Sequence, residues 1–462
     1  MDKEYPEYKY LYLEIIRTLS NIKNFIEKLE AHEYYSKNSG IFLVIINQFI
    51  DILQNKLAPQ NSDDKIPLSQ LNNVLSDLNY NFIPILRYIR RSQTKDIPWS
   101  LVPHIEEFIY NLLGENYIIL IRPQWHWNYS VILGDVSSFL KSFIERYTGE
   151  KNLLKIEKEL HVISFPVLEK TNFLLHTMFG HEIGHFFQQV YFKDILQKEW
   201  KRKKVLDVLS ASFRKNINPY RQFADSTRAV IIYKEILVKE ILPDIIGYLL
   251  LGPSILFALY YHSFWNKDDF NPKELTNIDI NQDSYDFLPH PPLKYRIRIL
   301  FKEFFEKDIN NITSGIAKVT LEDIYTKIQS YLDDKSDLDL FKSNPLSENA
   351  FNIFEESISE IEEFCINKLG EIKYEFNIKT INCLVEKIKN KIPPNELGNK
   401  PVKLGDIFLS GWIYYYDLLK EKETFKKDEY IKLHVRLDRL LLKASNSIYI
   451  HSYYWDHKKW PY

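Results

Sequence analysis

Phe179-Gly180-His181-Glu182-Ile183-Gly184-His185-Phe186-Phe187 is the stretch on which the reading of this chain turns. Two histidines four positions apart fall on one face of a helix, so both imidazoles can reach a single metal ion. Glu182 lies one step round the same turn, where its carboxylate stands beside the position that a catalytic metal leaves open for water. The neighbours suit a buried helix: Phe173-Leu174-Leu175 precede the motif and Phe186-Phe187 close it. Gly180 and Gly184 each cost a helix interior about 1 kcal/mol relative to alanine, so both point to close packing or backbone approach there. Glu169–Gln197 is therefore read as one long helix that carries the motif.

Outward from this helix, the chain reads as mainly α (α+β). Glycine is scarce, with 13 in 462 residues, and Leu, Ile, Lys and Glu recur at helical spacing through most of the length. A single core rarely grows beyond about 250–300 residues, so two or three packed units are expected. The division read from the sequence is an N-terminal helical region, 1–115, a core at 116–300 and a C-terminal helical region, 301–462. The first is broken by the polar linker Pro59–Asp64 and by Pro98 and Pro103, the last near Asn344-Pro345 and at Pro393–Pro401. Clusters of β-branched and aromatic residues predict short strands at Tyr117–Ile121 and His161–Pro166, hence a small sheet ahead of the motif helix. Ile245–Tyr261 is apolar enough to approach the roughly 17–25 residues that span a bilayer, but Gly252-Pro253 divides it, and a buried helix–break–helix is the reading preferred. The Asn/Asp-rich segment Asn266–Leu288 is read as a loop that covers the site.

Composition narrows the function classes. Hydrophobic residues at 45% and charged residues at 26% describe an ordinary soluble globular protein. A net charge of −2, with no strong basic stripe, supplies no field for nucleic acid or an anionic membrane, so neither is an expected partner. The two cysteines, Cys365 and Cys383, form no metal-ligand spacing and no disulfide framework, which fits a reducing compartment. The charged start, Met1-Asp2-Lys3-Glu4-Tyr5, is unlike a signal peptide, and a cytoplasmic location is the expectation.

A catalytic zinc needs a third protein ligand. The metzincin pattern fails, because Tyr191 stands six residues beyond His185 and Gln188 replaces the required glycine. Downstream, Glu240-Ile241-Leu242-Pro243-Asp244 offers a glutamate that can bind the metal and, one helical turn on, an aspartate that can orient a ligand histidine. Glu235 is the nearest competitor, but Lys239 four residues later cannot accept a hydrogen bond from an imidazole. His176 and His126 are read as packing residues, and the run Phe408–Tyr416 with Trp412 as a buried helix.

The ordered set His181-Glu182-Ile183-Gly184-His185, Glu240-xxx-Asp244 and His290-Pro291-Pro292-Leu293-Lys294-Tyr295-Arg296 resembles the CaaX-prenyl-protease and HtpX-like gluzincin endopeptidases. The resemblance covers about residues 170–298, and the chain lacks a clear set of transmembrane helices. It implies a zincin-like core, a Zn²⁺ cofactor held by His181, His185 and Glu240, and hydrolysis of a protein or peptide substrate with Glu182 as general base. It further implies His290 as a stabiliser of the oxyanion and Arg296 as a brace for the site or a substrate contact. The expectation is a zinc-dependent peptidase whose helical flanks are open to a regulatory partner. The rival is a catalytically inactive zincin-like scaffold.

Overall fold

Helical periodicity over long stretches, interrupted by few glycines, gives a mainly helical chain with one small sheet and one short hairpin. The computed structural model describes residues 6–34, 36–57, 66–114, 116–197, 232–264, 290–312, 314–334, 345–398, 400–421 and 427–457. The linker Pro59–Asp64 and the segment Asn266–Leu288 lie outside the described residues, as does the side chain of Glu235. The chain divides into two compact units, residues 1–110 with 114–170 and residues 111–113 with 171–462.

In the first unit five helices precede the sheet: α1 (Pro6–Glu30), α2 (Lys37–Leu57), α3 (Leu68–Asp77), α4 (Ile83–Arg90) and α5 (Val102–Leu113). Strand β1 (Tyr117–Gln124) pairs in parallel with β3 (Glu159–Pro166), with Ile119 opposite His161 and Ile121 opposite Ile163. A parallel pair needs a long crossover. Here it is β2 (Ser130–Ile132), antiparallel to β3, followed by helix α6 (Asp135–Thr148). Both predicted strands exist and are longer than predicted, because Arg122–Gln124 of β1 find partners in Ser164–Pro166 and Glu159-Leu160 of β3 find partners in Tyr117-Ile118. The centre of β1 is buried on both faces, and α2, α4 and α6 pack around the sheet. The core joins Ile15, Leu19 and Ile26 of α1 to Phe42, Phe49 and Leu53 of α2, and to Phe143, Leu120 and Val162.

The second unit carries the motif. The predicted helix Glu169–Gln197 is shorter than its sequence suggests: Val167–Glu169 and Leu174–Met178 are 3₁₀ turns, and helix α7 runs from Phe179 to Gln197. Two side chains capture backbone donors that a helix begun at Glu169 would have paired internally. The Asn172 Oδ1 atom accepts from the Leu175 N–H at 3.4 Å, and the Asp438 carboxylate accepts from the Phe173 N–H at 3.0 Å. Next come a π-helical turn, Ile232–Val238, helix α8 (Lys239–Leu251) and helix α9 (Ser254–His262). Gly252, at φ +70°, turns the chain between α8 and α9 in a conformation that side chains resist, so the apolar run Ile245–Tyr261 is two buried helices and not one span. Among the described residues one helix, α2, is long and apolar enough to cross a membrane, and ten of its residues are buried.

Helix α10 (Leu293–Leu300) follows Pro291-Pro292, and its last turn passes into a π-helical segment at Phe301–Phe305. The remaining long helices are Ile316–Asp333, Pro345–Leu369, Ile378–Lys389, Leu404–Glu421 and Lys427–His457. Pro393–Pro401 interrupts the helices as expected, and it forms a two-stranded hairpin of Glu396–Leu397 with Lys400–Pro401. Trp412 is 1% exposed and packs among Phe257, Tyr261, Tyr415 and Tyr416, which makes the Phe408–Tyr416 run part of the core.

Candidate metal centre

The site is set by the crossing of α7 and α8. A Cβ added to Gly184 would lie 2.4 Å from the Cα of Pro243, and one added to Gly180 would lie 3.1 Å from the Cα of Gly247. The two backbones therefore touch, and no side chain fits between them. Pro243 sits inside α8 and has no N–H for the carbonyl of Lys239. The π-helical turn immediately ahead of Lys239 gives that proline ring room.

This crossing brings together residues that are distant in sequence. The Nε2 atoms of His181 and His185 are 3.1 Å apart, and Oε2 of Glu240 is 3.8 Å from Nε2 of His181. One ligand atom from each of the three residues lies within 4.8 Å of the other two, and His181 and Glu240 are buried. Around a tetrahedral zinc at about 2.0–2.1 Å, two ligand nitrogens stand about 3.3 Å apart, so the two imidazoles need almost no adjustment to share an ion.

The hydrogen bonds around the site fix which ring nitrogens face one another. Asp244 Oδ1 lies 2.8 Å from Nδ1 of His181, and a buried carboxylate accepts, so Nδ1 carries the proton and Nε2 presents its lone pair. Gln188 Oε1 lies 3.3 Å from Nδ1 of His185 and, as an amide oxygen, makes the same assignment there. Two lone pairs and a carboxylate oxygen thus converge on one point. Such an arrangement is repulsive unless a cation, either a proton or a metal ion, stands between them.

The electrostatics follow from burial and these contacts. Burial works against charge on His181, but the Asp244 carboxylate outweighs it and holds the pKa above the ordinary value. His185 is pushed down to about 4 by burial and then by His181, which keeps it neutral and able to act as a ligand. Burial also opposes charge on Glu240, yet the hydrogen bond from His290 and the nearby histidines hold its carboxyl well below the usual range. Glu182, 3% exposed, is pushed up to about 7, mainly by burial. Its proton affinity is that of a group able to exchange protons near neutrality.

Asp244 is itself held from behind. Arg296 donates from Nε to Oδ2 and from a terminal nitrogen to Oδ1, both at 2.7 Å, a bidentate pair that leaves Asp244 fully buried. Burial and the Arg296 charge act oppositely on Asp244, and the net pKa is lowered. The side chain of Arg296 is 11% exposed, so its role here is to brace the aspartate that orients His181.

All seven residues singled out in the sequence, His181, Glu182, His185, Glu240, Asp244, His290 and Arg296, lie in the second unit, and six of them form one cluster in which His181, Glu182, Glu240 and Asp244 are buried and His185 and Arg296 half-buried. His290 stands at the edge: its side chain is 70% exposed, and its Nδ1 is 3.0 Å from Oε2 of Glu240. It therefore contacts a ligand carboxylate. Sequence reasoning missed Gln188, noticed there only as a departure from another pattern; its position three residues after His185 on the same helix was the available signal. Gly247, which meets Gly180, was also missed. Comparison with protein families, with curated proteins and with solved structures finds no match for this chain.

Proposed function

We propose that this chain is a zinc-dependent peptidase of the gluzincin type, with a zincin-like core around α7 and α8. The reading rests chiefly on the convergence of two imidazole lone pairs and a carboxylate beside a separate carboxylate, that of Glu182, tuned to exchange protons. His181, His185 and Glu240 would hold the ion, and His₂Glu with an open position is a donor set characteristic of catalytic zinc. When bound, the ion supplies a Lewis acid that polarises the scissile carbonyl and acidifies water at its open position.

The residues of the chain supply the rest. Glu182 accepts a proton from the attacking water and passes it to the nitrogen of the leaving amine, which allows the C–N bond to break without releasing an amide anion. Asp244 keeps the Nδ1 proton on His181 and hence its lone pair on the metal side, and Arg296 keeps Asp244 ionised. His290 holds Glu240 in its charged, ligating form and, being exposed, is available to an oxyanion on the substrate side. A protein or peptide substrate follows from this chemistry.

The test is elemental analysis of purified chain prepared without a histidine tag or added metal, together with cleavage of a peptide library. One zinc per chain is expected, absent from His181→Ala. Glu182→Gln should retain zinc and hydrolyse about 10²–10⁴-fold more slowly. A well-folded chain that takes up no metal on titration would sink the proposal.

A further inference from the structure

The first unit holds a charged site of its own. Arg87, Arg90, Arg91, Lys95, Gln93 and Asp96 line a cavity of about 420 Å³, so four cations face a single carboxylate. Spacings of three and four residues put Arg87, Arg90 and Arg91 on one face at the end of α4, where like charges repel by a few tenths of a kcal/mol per pair. Among the described residues none of these four cations has a carboxylate partner for its side chain. The helix C-terminus compensates part of that repulsion, but its field fades within the last turn and does not reach past it to Lys95.

Two neighbours extend the site. The Arg91 guanidinium lies 5.8 Å from the ring centroid of Trp125, which is 74% exposed. Arg122 stacks 4.4 Å over Tyr88 on the same helix, and its buried Nε has no hydrogen-bond partner. Gln93 is 6% exposed and donates to the carbonyl of Arg90 at 3.0 Å, which fixes the turn that carries the basic residues.

We propose that this cavity binds a small ligand bearing two or more phosphate groups. Planar guanidinium groups match phosphate oxygens two bonds at a time, and three of them with a lysine suit a multiply charged anion better than a single carboxylate. The volume lies in the range of small-molecule sites, and the exposed indole of Trp125 offers a stacking surface for a base at the rim.

The experiment is calorimetric titration of the full-length chain at low ionic strength with tripolyphosphate and, separately, with ATP. Saturable binding of one ligand per chain is expected. The double variant Arg87→Ala with Arg91→Ala should weaken it tenfold or more, and Asp96→Asn should strengthen it several-fold by removing the opposing charge. ATP bound more tightly than tripolyphosphate, with the advantage lost in Trp125→Ala, identifies a nucleotide; equal affinities identify the phosphate chain alone as the ligand. Both anions also chelate zinc, so the titration is repeated in Glu240→Ala. No saturable binding, binding indifferent to the arginine and Asp96 variants, or binding that disappears in Glu240→Ala would each overturn the proposal. None of these results depends on whether the chain is a peptidase.

Discussion

Replacing Asp244 by asparagine removes the charge from a fully buried carboxylate that accepts two bonds from Arg296 and one from His181. Two separate losses should follow. Arg296, with 11% of its side chain exposed, loses the carboxylate that it hydrogen-bonds and keeps only the more distant charges of Glu240 and Glu182, a change that costs about 3 kcal/mol of stability. His181 exchanges a charged acceptor for a neutral amide oxygen, which weakens the imidazole as a metal donor and lowers metal affinity about 10–100-fold. The double variant Asp244→Asn with Arg296→Met separates the two. It removes the stranded cation, so part of the lost stability should return, while His181 still lacks a charged acceptor and affinity stays low. Urea unfolding of the metal-free protein reads the first quantity, and zinc competition against a chromophoric chelator reads the second. If Asp244→Asn unfolds at the wild-type midpoint, or if the double variant is no more stable than the single one, the buried-pair reasoning is wrong.

Other perturbations test separate parts of the site. Glu240→Ala should abolish stoichiometric metal binding while leaving the fold intact, since it removes one donor and leaves the backbone contacts of Gly180 and Gly184 with α8 in place; unchanged metal content by elemental analysis would remove Glu240 from the ligand set. Gly184→Ala places a Cβ 2.4 Å from a backbone atom that cannot move aside, so about 1–3 kcal/mol of destabilisation is expected, visible as a lowered melting temperature, and an unchanged Tm would refute the tight crossing. Metal affinity should depend on pH with a definite sign. His181, whose pKa is raised, and Glu182, held at about 7, keep protons in the metal-free protein that binding expels or disfavours. Affinity should therefore fall as pH drops, by up to about tenfold per unit for each proton released, and level off above the pKa values of His181 and Glu182; a flat profile from chelator competition would contradict the raised proton affinities of these two groups.

Much of the site was legible because its chemistry is local. The spacing of His181 and His185, that of Glu240 and Asp244, and the short helix begun by Pro291-Pro292 are each fixed within one or two helical turns, where sequence distance converts directly into spatial distance. The break at Gly252-Pro253 was legible for the same reason. What was not legible depends on partners far along the chain. The start of α7 at Phe179 is set partly by Asp438, a residue from the other end of the sequence, which takes the Phe173 N–H. Strand β2 has three residues and the later hairpin strands two each, too few for an alternating pattern to register. The contact of His290 with Glu240 could not be read either, since it depends on how the chain returns to α8.

The crossing of α7 and α8 explains why two glycines persist in a helix that they weaken. Gly180 and Gly184 each precede a candidate ligand histidine, and each meets the backbone of α8, one at Gly247 and the other at Pro243. Pro243 and Gly247 in turn flank Asp244 and follow Glu240 within two helical turns. Contact between backbones leaves no rotamer to adjust, so the separation of His181, His185, Glu240 and Asp244 is inherited from main-chain geometry rather than from side-chain packing. Residues held in this way keep the two imidazole Nε2 atoms 3.1 Å apart. A looser crossing would let the rings rotate away from one another. The roughly 1 kcal/mol that Gly184 costs the helix interior is then the cost of that close approach, and the same contact predicts that a methyl group at residue 184 should disturb metal binding as well as stability.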